Sequence, residues 1–329
     1  MKKTFAIFAA FCIISMSACF SPWEGSGDQG TIVIDFGNDG ARKLADGDVY
    51  TVILTGSGET TITEEIKGLQ FRRSVQPGLW NILVRADNRD TLQAYGERDV
   101  EVQAGATVNV PIPMKATDAT KLVSTWAELT EVFKKNTGTK EIVVITRDLS
   151  ASSSINFENE KINWNITLRA AKDVTITKSK DIDNSLFRVL EGCELILDIT
   201  DGKNITINGG GYGKSSLILV QKGTFTMNGG TLTNNSISAS NSDKRGGGVT
   251  VDEGTFTMKD GTISGNSAKN GGGVRILSGT FTKNGGTIYG SNAGSNSNTA
   301  TSGGNAVYYD SPEKKIDDTV GPEYSLPSP

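Results

Sequence analysis

Histidine is absent from the 329 residues of this chain, and that sets the first limit on its chemistry. No Ser-His or Cys-His nucleophile pair and no His metal ligand can be built. Carboxylate, Lys and Arg chemistry remains. In the most regular part of the chain the candidates are Asp252, Glu253, Lys259, Asp260, Arg275 and Lys283. A catalytic carboxylate pair should come from neighbouring repeats facing one groove. Asp252 and Glu253 stand at a turn beside Gly254. Their counterparts in the adjoining repeats are Gln221-Lys222 and Leu277-Ser278, which offer no second carboxylate. The turn therefore reads as solvated, and the chain as a non-enzyme with no catalytic residue, cofactor or metal.

Three cysteines occur, Cys12, Cys19 and Cys193, and only Cys193 stands in the body of the chain. No intramolecular disulfide is expected. Cys193 shares the period-2 face of Leu195, Leu197 and Ile199, the place of a small buried hydrophobe. With a net charge of −4 and no concentrated basic face, no nucleic-acid partner is expected. The remaining candidate surface is a Thr-x-Thr array, made of Thr224 and Thr226, Thr255 and Thr257, and Thr280 and Thr282. Thr is favoured on exposed strands in any case. The array is the expected binding face if the chain has one.

The elements that would position these residues begin with a targeting segment. Lys2 and Lys3 precede an apolar run from Phe5 to Ile14, the length of a signal h-region and too short to span a bilayer. Met16-Ser17-Ala18-Cys19 resembles a bacterial lipobox, with Met16 where Leu is usual. The resemblance implies a signal peptide over 1–18, cleavage, and lipidation of Cys19. Each buried acyl CH₂ contributes roughly 0.8 kcal/mol, and stable anchoring takes at least two chains. Phe20 follows the Cys in place of the Asp that retains lipoproteins in the inner membrane. Export to the outer membrane, surface-exposed or on its periplasmic face, is therefore expected. Residues 19–30 read as a flexible Gly, Ser and Pro tether.

Residues 31–116 hold short alternating apolar runs separated by turn residues, which predicts an antiparallel β-sandwich. The runs include Thr31–Phe36, Val49–Leu54, Trp80–Val84 and Thr107–Ile112. Val75-Gln76-Pro77-Gly78-Leu79-Trp80-Asn81-Ile82-Leu83-Val84 resembles the Pro-Gly-x-aromatic hairpin of carboxypeptidase-regulatory-like and other transthyretin-like modules. The resemblance implies a spacer or binding accessory. Trp80 reads as a core aromatic rather than a ligand platform.

Residues 117–139 form a linker and a short helix. Thr125 and Glu128 have the spacing of a capping box, and Leu129, Val132 and Phe133 mark its apolar face. Such a helix could cap the open end of a solenoid. From 140 to 310 the sequence is self-similar. Gly-Thr-Phe-Thr recurs at Gly223, Gly254 and Gly279, 31 and then 25 residues apart. Gly-Thr-[Leu/Ile] recurs at Gly230, Gly261 and Gly286, and a glycine run leads into Val249 and again into Val274. This period marks a solenoid. Each unit holds three strand-sized pieces, the content of one coil of a right-handed parallel β-helix. Phe225, Phe256 and Phe281 would then stack, as would Leu232, Ile263 and Ile288. The runs Leu186–Leu190, Cys193–Ile199 and Ile205–Asn208 align as an earlier coil, with Gly192 in the place of Gly223. Residues 311–329 hold four of the eight prolines and read as an irregular tail.

Thr262-Ile263-Ser264-Gly265-Asn266-Ser267-Ala268 and Gly271-Gly272-Gly273-Val274 resemble the paired signatures of polymorphic outer-membrane proteins. The wider 140–310 pattern is similar to the pectin-lyase-like β-helix group. That likeness implies the fold, and it raises a Ca²⁺-dependent, lyase-like activity on polysaccharides as the alternative function. The hydrolase hallmarks of that group, Gly-His-Gly and paired Asp on neighbouring coils, are absent. The sole Asp-Asp, Asp317-Asp318, lies in the tail. The leading expectation is an all-β, monomeric, membrane-anchored module for adhesion, binding or structure, with a glycan or a host or cell-surface protein as partner. An ice-binding face of Thr-x-Thr is a minor alternative.

Overall fold

The computed structural model describes residues 29–35, 48–56, 61–66, 68, 70–88, 91–157, 163–199, 202–238 and 245–310. The signal segment, Cys19, most of the tether and the 311–329 tail lie outside them. The chain divides into two compact units, 1–116 and 117–329. Both are built mostly of β-strands.

The first unit contains β1 (Gly30–Asp35), β2 (Asp48–Gly56), β3 (Thr61–Ile66), β4 (Gln70–Val75), β5 (Gly78–Asn88), β6 (Thr91–Val102), β7 (Thr107–Asn109) and β8 (Lys115–Ala116). They form two sheets, ordered β4-β1-β7 and β3-β2-β5-β6-β8. All pairings are antiparallel except β1 with β7, which is parallel. Alternation along the strands turns Ile32, Ile34, Val52, Leu54, Ile82 and Val84 into one core. Trp80 is part of that core. Its indole N–H donates to the Gln76 carbonyl at 2.8 Å, and its ring lies so close to Gly56 that a Cβ there would sit 3.0 Å away.

The second unit opens with β9 (Lys121–Val123) and α1 (Trp126–Lys135). The helix starts where the sequence signals it. Thr125 Oγ1 accepts from the Glu128 N–H at 3.1 Å, and Glu128 accepts from the Thr125 N–H at 3.1 Å. Its buried face carries Trp126, Leu129 and Phe133. Phe133 meets Trp164 edge-on at 4.8 Å, and Trp126 meets Phe187 at 6.0 Å.

The chain then makes successive circuits. β10 (Lys140–Ile145) and β11 (Leu149–Ala151) lead to β12 (Asn165–Ala170), β13 (Val174–Lys178) and β14 (Phe187–Val189). Next come β15 (Glu194–Leu197), β16 (Ile205–Asn208) and β17 (Ile218–Gln221), then β18 (Thr224–Met227), β19 (Thr231–Thr233) and β20 (Val249–Asp252). The last circuits use β21 (Gly254–Met258), β22 (Thr262–Ser264), β23 (Ser267–Asn270), β24 (Val274–Ile276), β25 (Gly279–Lys283), β26 (Thr287–Ile288), β27 (Thr299–Gly303) and β28 (Val307–Tyr309). Three parallel sheets are visited in rotation. The first is β25-β21-β18-β15-β12-β10-β9, the second β11-β13-β16-β19-β22-β26, and the third β14-β17-β20-β24-β28. β23 and β27 form a small fourth sheet. This arrangement is compatible with a β-helix-like fold.

Like residues stack on like. Phe225, Phe256 and Phe281 are in register, and their rings lie 4.9 Å apart in nearly parallel planes. That separation matches the strand spacing, so the backbone ladder itself sets the stacking distance. Leu232, Ile263 and Ile288 form the parallel row in the second sheet. A third ladder is polar. Asn235, Asn266 and Asn298 are fully buried in the turns after that sheet. Asn298 Oδ1 accepts from the Asn266 N–H at 2.9 Å, and Asn266 Oδ1 accepts from the Asn235 N–H at 3.1 Å. Their amide groups donate to backbone carbonyls that would otherwise be buried unpaired.

One alignment is shifted from the sequence reading. Because Glu194 pairs with Thr224, it is Cys193 that stands level with Gly223, and Gly192 that stands level with Lys222. The left-handed position of this turn is Gly192 in one circuit, and Lys222 (φ 65°) and Glu253 (φ 59°) in the next two. Gly223 serves a different need. A Cβ there would fall 2.3 Å from the Leu190 carbonyl oxygen, so the glycine is required by close approach and not by its dihedral.

Candidate functional site

The six threonines of the Thr-x-Thr array lie on the outer face of the first sheet. Thr224, Thr255 and Thr280 form one column, and Thr226, Thr257 and Thr282 the next. The columns do not extend over the whole sheet. Towards the N-terminus they pass into Glu194 and Asn165, and into Ile196 and Thr167. A longer column lies on the second sheet, where Thr175, Thr206, Thr231, Thr262 and Thr287 stand in register over five rungs. Beside it run Thr177, Asn208, Thr233 and Ser264. The recurring Gly-Thr-[Leu/Ile] was its sequence signal, but the two earliest threonines lack the glycine and break the pattern.

The candidate acid–base residues are dispersed. Asp252 and Glu253 occupy the turn from the third sheet to the first, where Glu253 lies 3.6 Å from Lys222 in an exposed pair. Asp260, between the first and second sheets, accepts from the Gly261 N–H at 2.7 Å and so shapes its own turn. Lys259 adjoins it and is exposed. Lys283 occupies the inward row of Met227 and Met258 in the first sheet. Arg275 lies on the third sheet, bonded to Asp310 through Nε and Nη2 at 2.8 Å each. These side chains occupy separate turns and sheets and do not converge on one groove. Among the described residues no group of three or more His, Cys, Asp or Glu side chains is placed to hold a metal ion.

Three charged side chains that the sequence did not single out are held in unusual surroundings. Arg169 is sandwiched between Asp198, 2.7 Å away, and Asp118. Burial alone would lower its pKa, but hydrogen bonds to both carboxylates raise it. Lys178 is 2% exposed at the inward end of β13, and its Nζ has no hydrogen-bond partner among the described residues. Burial depresses its pKa to about 8, with the charge of Asp183 opposing the shift. Arg245 precedes the glycine run at Gly246, and burial lowers its pKa. Cys193 is 3% exposed, and burial pushes its thiol upward, away from reactivity.

No helix among the described residues is long and apolar enough to cross a membrane. No family model, curated protein or solved structure matches the chain.

Proposed function

We propose that this chain is an exported lipoprotein, held at the outer membrane by lipid on Cys19, whose second unit is a right-handed parallel β-helix serving as a non-catalytic binding module. Its partner is a glycan or a cell-surface protein. The observation that carries this reading is the set of in-register Thr, Asn and Ser columns on the outer faces of the first and second sheets. Stacked strands repeat these groups at about 4.8 Å, so an extended polar ligand can be met by equivalent groups rung after rung. Each contact is weak, and their sum over a rigid frame gives affinity at little ordering cost. The first unit acts as a β-sandwich spacer, and α1 closes the N-terminal end of the solenoid by burying Trp126, Leu129 and Phe133 against it.

A glycan array probed with the mature protein tests the binding reading. The expected result is retention of a defined glycan class, lost when Thr206, Thr231 and Thr262 are replaced together by Val. Thermal hysteresis in place of glycan or protein binding would transfer the Thr columns to ice recognition. Protease treatment of intact cells tests display. Protection until lysis would exclude the outer surface and leave the periplasmic face.

A further inference from the structure

The turn after β16 runs through Gly209-Gly210-Gly211-Tyr212-Gly213 and leaves Tyr212 64% exposed. A single exposed aromatic is common on protein surfaces and carries no meaning alone. This one stands on a braced backbone. Gly210 (φ 69°) and Gly211 (φ 78°) both take left-handed dihedrals. Asn208 Oδ1 accepts from the Gly210 N–H at 2.8 Å and from Asn234 Nδ2 at 3.0 Å. The Gly211 N–H donates to the Asn234 carbonyl, one circuit onward, at 2.7 Å. Yet the Tyr212 side chain makes no hydrogen bond or ring contact among the described residues. Gly211 and Gly213, on either side of it, carry no side chain that could cover its ring.

Polar groups with unused bonding capacity adjoin it. Gly213 bridges to Ile237, and Ser236 bridges to Ser267, which pairs with Thr299 in the small sheet of β23 and β27. Tyr212 therefore stands level with Ser236, at the head of the row Ser236, Ser267 and Thr299. Ile237 and Ala268, next along their strands, are buried, so alternation turns this row outward. Ser236 and Thr299 are exposed and Ser267 is half-buried. Among the described residues none of the three hydroxyls is bonded. On the other flank, Asn234 Oδ1 lies 3.7 Å from the place of a Cβ on Gly211 and accepts no hydrogen bond from the described residues. The nearest charged residue along the chain, Lys214, is paired with Asp183 at 2.8 Å. A pyranose matches this chemistry. Its axial C–H bonds present an apolar face to an aromatic ring, while the hydroxyls at its edge need donors and acceptors. A sugar acid would find no free cation here.

We propose that Tyr212, with Asn234 and Ser236, forms a subsite for a neutral pyranose unit of a glycan. The sugar ring stacks on the tyrosine, and its hydroxyls bond the Asn234 amide and the Ser236 hydroxyl. This rests on the binding-module reading and narrows its ligand to a neutral glycan. Ser267 and Thr299 continue the row at about 4.8 Å per rung, beside the next units of the same chain of sugars.

Calorimetric titration of the mature chain with cellohexaose, chitohexaose and hexagalacturonate tests it. A neutral hexamer should bind, and hexagalacturonate should bind more weakly. Raising NaCl from about 50 to about 500 mM should leave the neutral affinity unchanged, because no charge is engaged. Tyr212→Ala should weaken binding about tenfold or more. Tyr212→Phe should keep most of it, since the ring face and not its hydroxyl carries the contact. With no internal contact to lose, both variants should keep the wild-type circular dichroism and melting temperature. A melting temperature that falls together with binding in Tyr212→Ala would make the ring structural and overturn the subsite. Unchanged binding in Tyr212→Ala, or no binding of either neutral hexamer, also overturns it. Binding that survives Tyr212→Ala but is lost when Thr206, Thr231 and Thr262 become Val would leave the module reading standing while this one falls. The reverse pattern would keep the subsite and displace the Thr columns.

Discussion

The second and third sheets of the second unit share one repeat yet present opposite outer faces. On the second sheet, five threonines stand in line and stay at least partly accessible. On the third, the outward row changes residue at every rung and is closed over, with Arg275 and Thr250 buried. The inward rows of both are apolar except at Lys178, at the end of β13 in the second sheet. The repeat is thus enforced on the inside, where Phe, Leu, Ile and Val must pack on their equivalents. Outside, each rung is released from that demand, so identity there reports something other than packing.

Four substitutions would break or sharpen this contrast. The largest effect should come from the shared interior. Phe256→Ala removes the middle ring of the stack and should cost about 3–5 kcal/mol in urea unfolding. A smaller loss would show that the stack collapses around the gap.

Next is the Asn ladder that joins the two sheets. Asn266→Ala removes the side chain that donates to the carbonyls of Leu232 and Ser264 and accepts from the Asn235 N–H. About 3 kcal/mol should be lost, against about 1 kcal/mol for Asn234→Ala, which gives up a left-handed position (φ 57°) suited to Asn and an exposed bond to Asn208.

Lys178 tests the interior from the opposite side. Its pKa falls from 10.5 unfolded to about 8 folded, so the unfolded chain binds more protons between those values. Folding is therefore penalised in full below pH 8, and the penalty fades as pH rises to 10.5. Lys178→Met should stabilise the protein near pH 7 by about 2–3 kcal/mol, an advantage that disappears by about pH 10.5. Equal gains at both pH values would show that folding leaves the Lys178 pKa unshifted.

The smallest effect belongs to the outer Thr column. Thr231→Ala should shift stability by about 0.5 kcal/mol or less. A larger cost would mean the column is structural and would weaken its reading as a ligand face.

Much of this architecture was legible beforehand because it repeats. The Phe and Leu/Ile rows, the capping box of Thr125 and Glu128, and the buried place of Trp80 all follow from local spacing. Other features were not legible, each for a physical reason. Glycine serves two needs, left-handed dihedrals and close approach, and a sequence cannot separate them, which is why Gly192 was aligned with Gly223 instead of with Lys222. The parallel pairing of β1 with β7 joins strands more than seventy residues apart, beyond any alternation pattern. Lys178 follows the inward period of Val174 and Ile176, but a lysine there reads as a strand end.

By itself the sequence determined what depends on neighbours along the chain: the strand period, the repeat length, the helix start, the absence of imidazole chemistry, and the Thr-x-Thr motif. These are local, and a side chain's alternation carries them without reference to the rest of the molecule. Tertiary structure decided which residues stand one circuit apart. It joined the unremarked Thr175 and Thr206 to the repeat threonines and buried Arg275. Those neighbours are separated by a full circuit of chain and brought to strand spacing by hydrogen bonding, so their chemistry exists only in the folded stack.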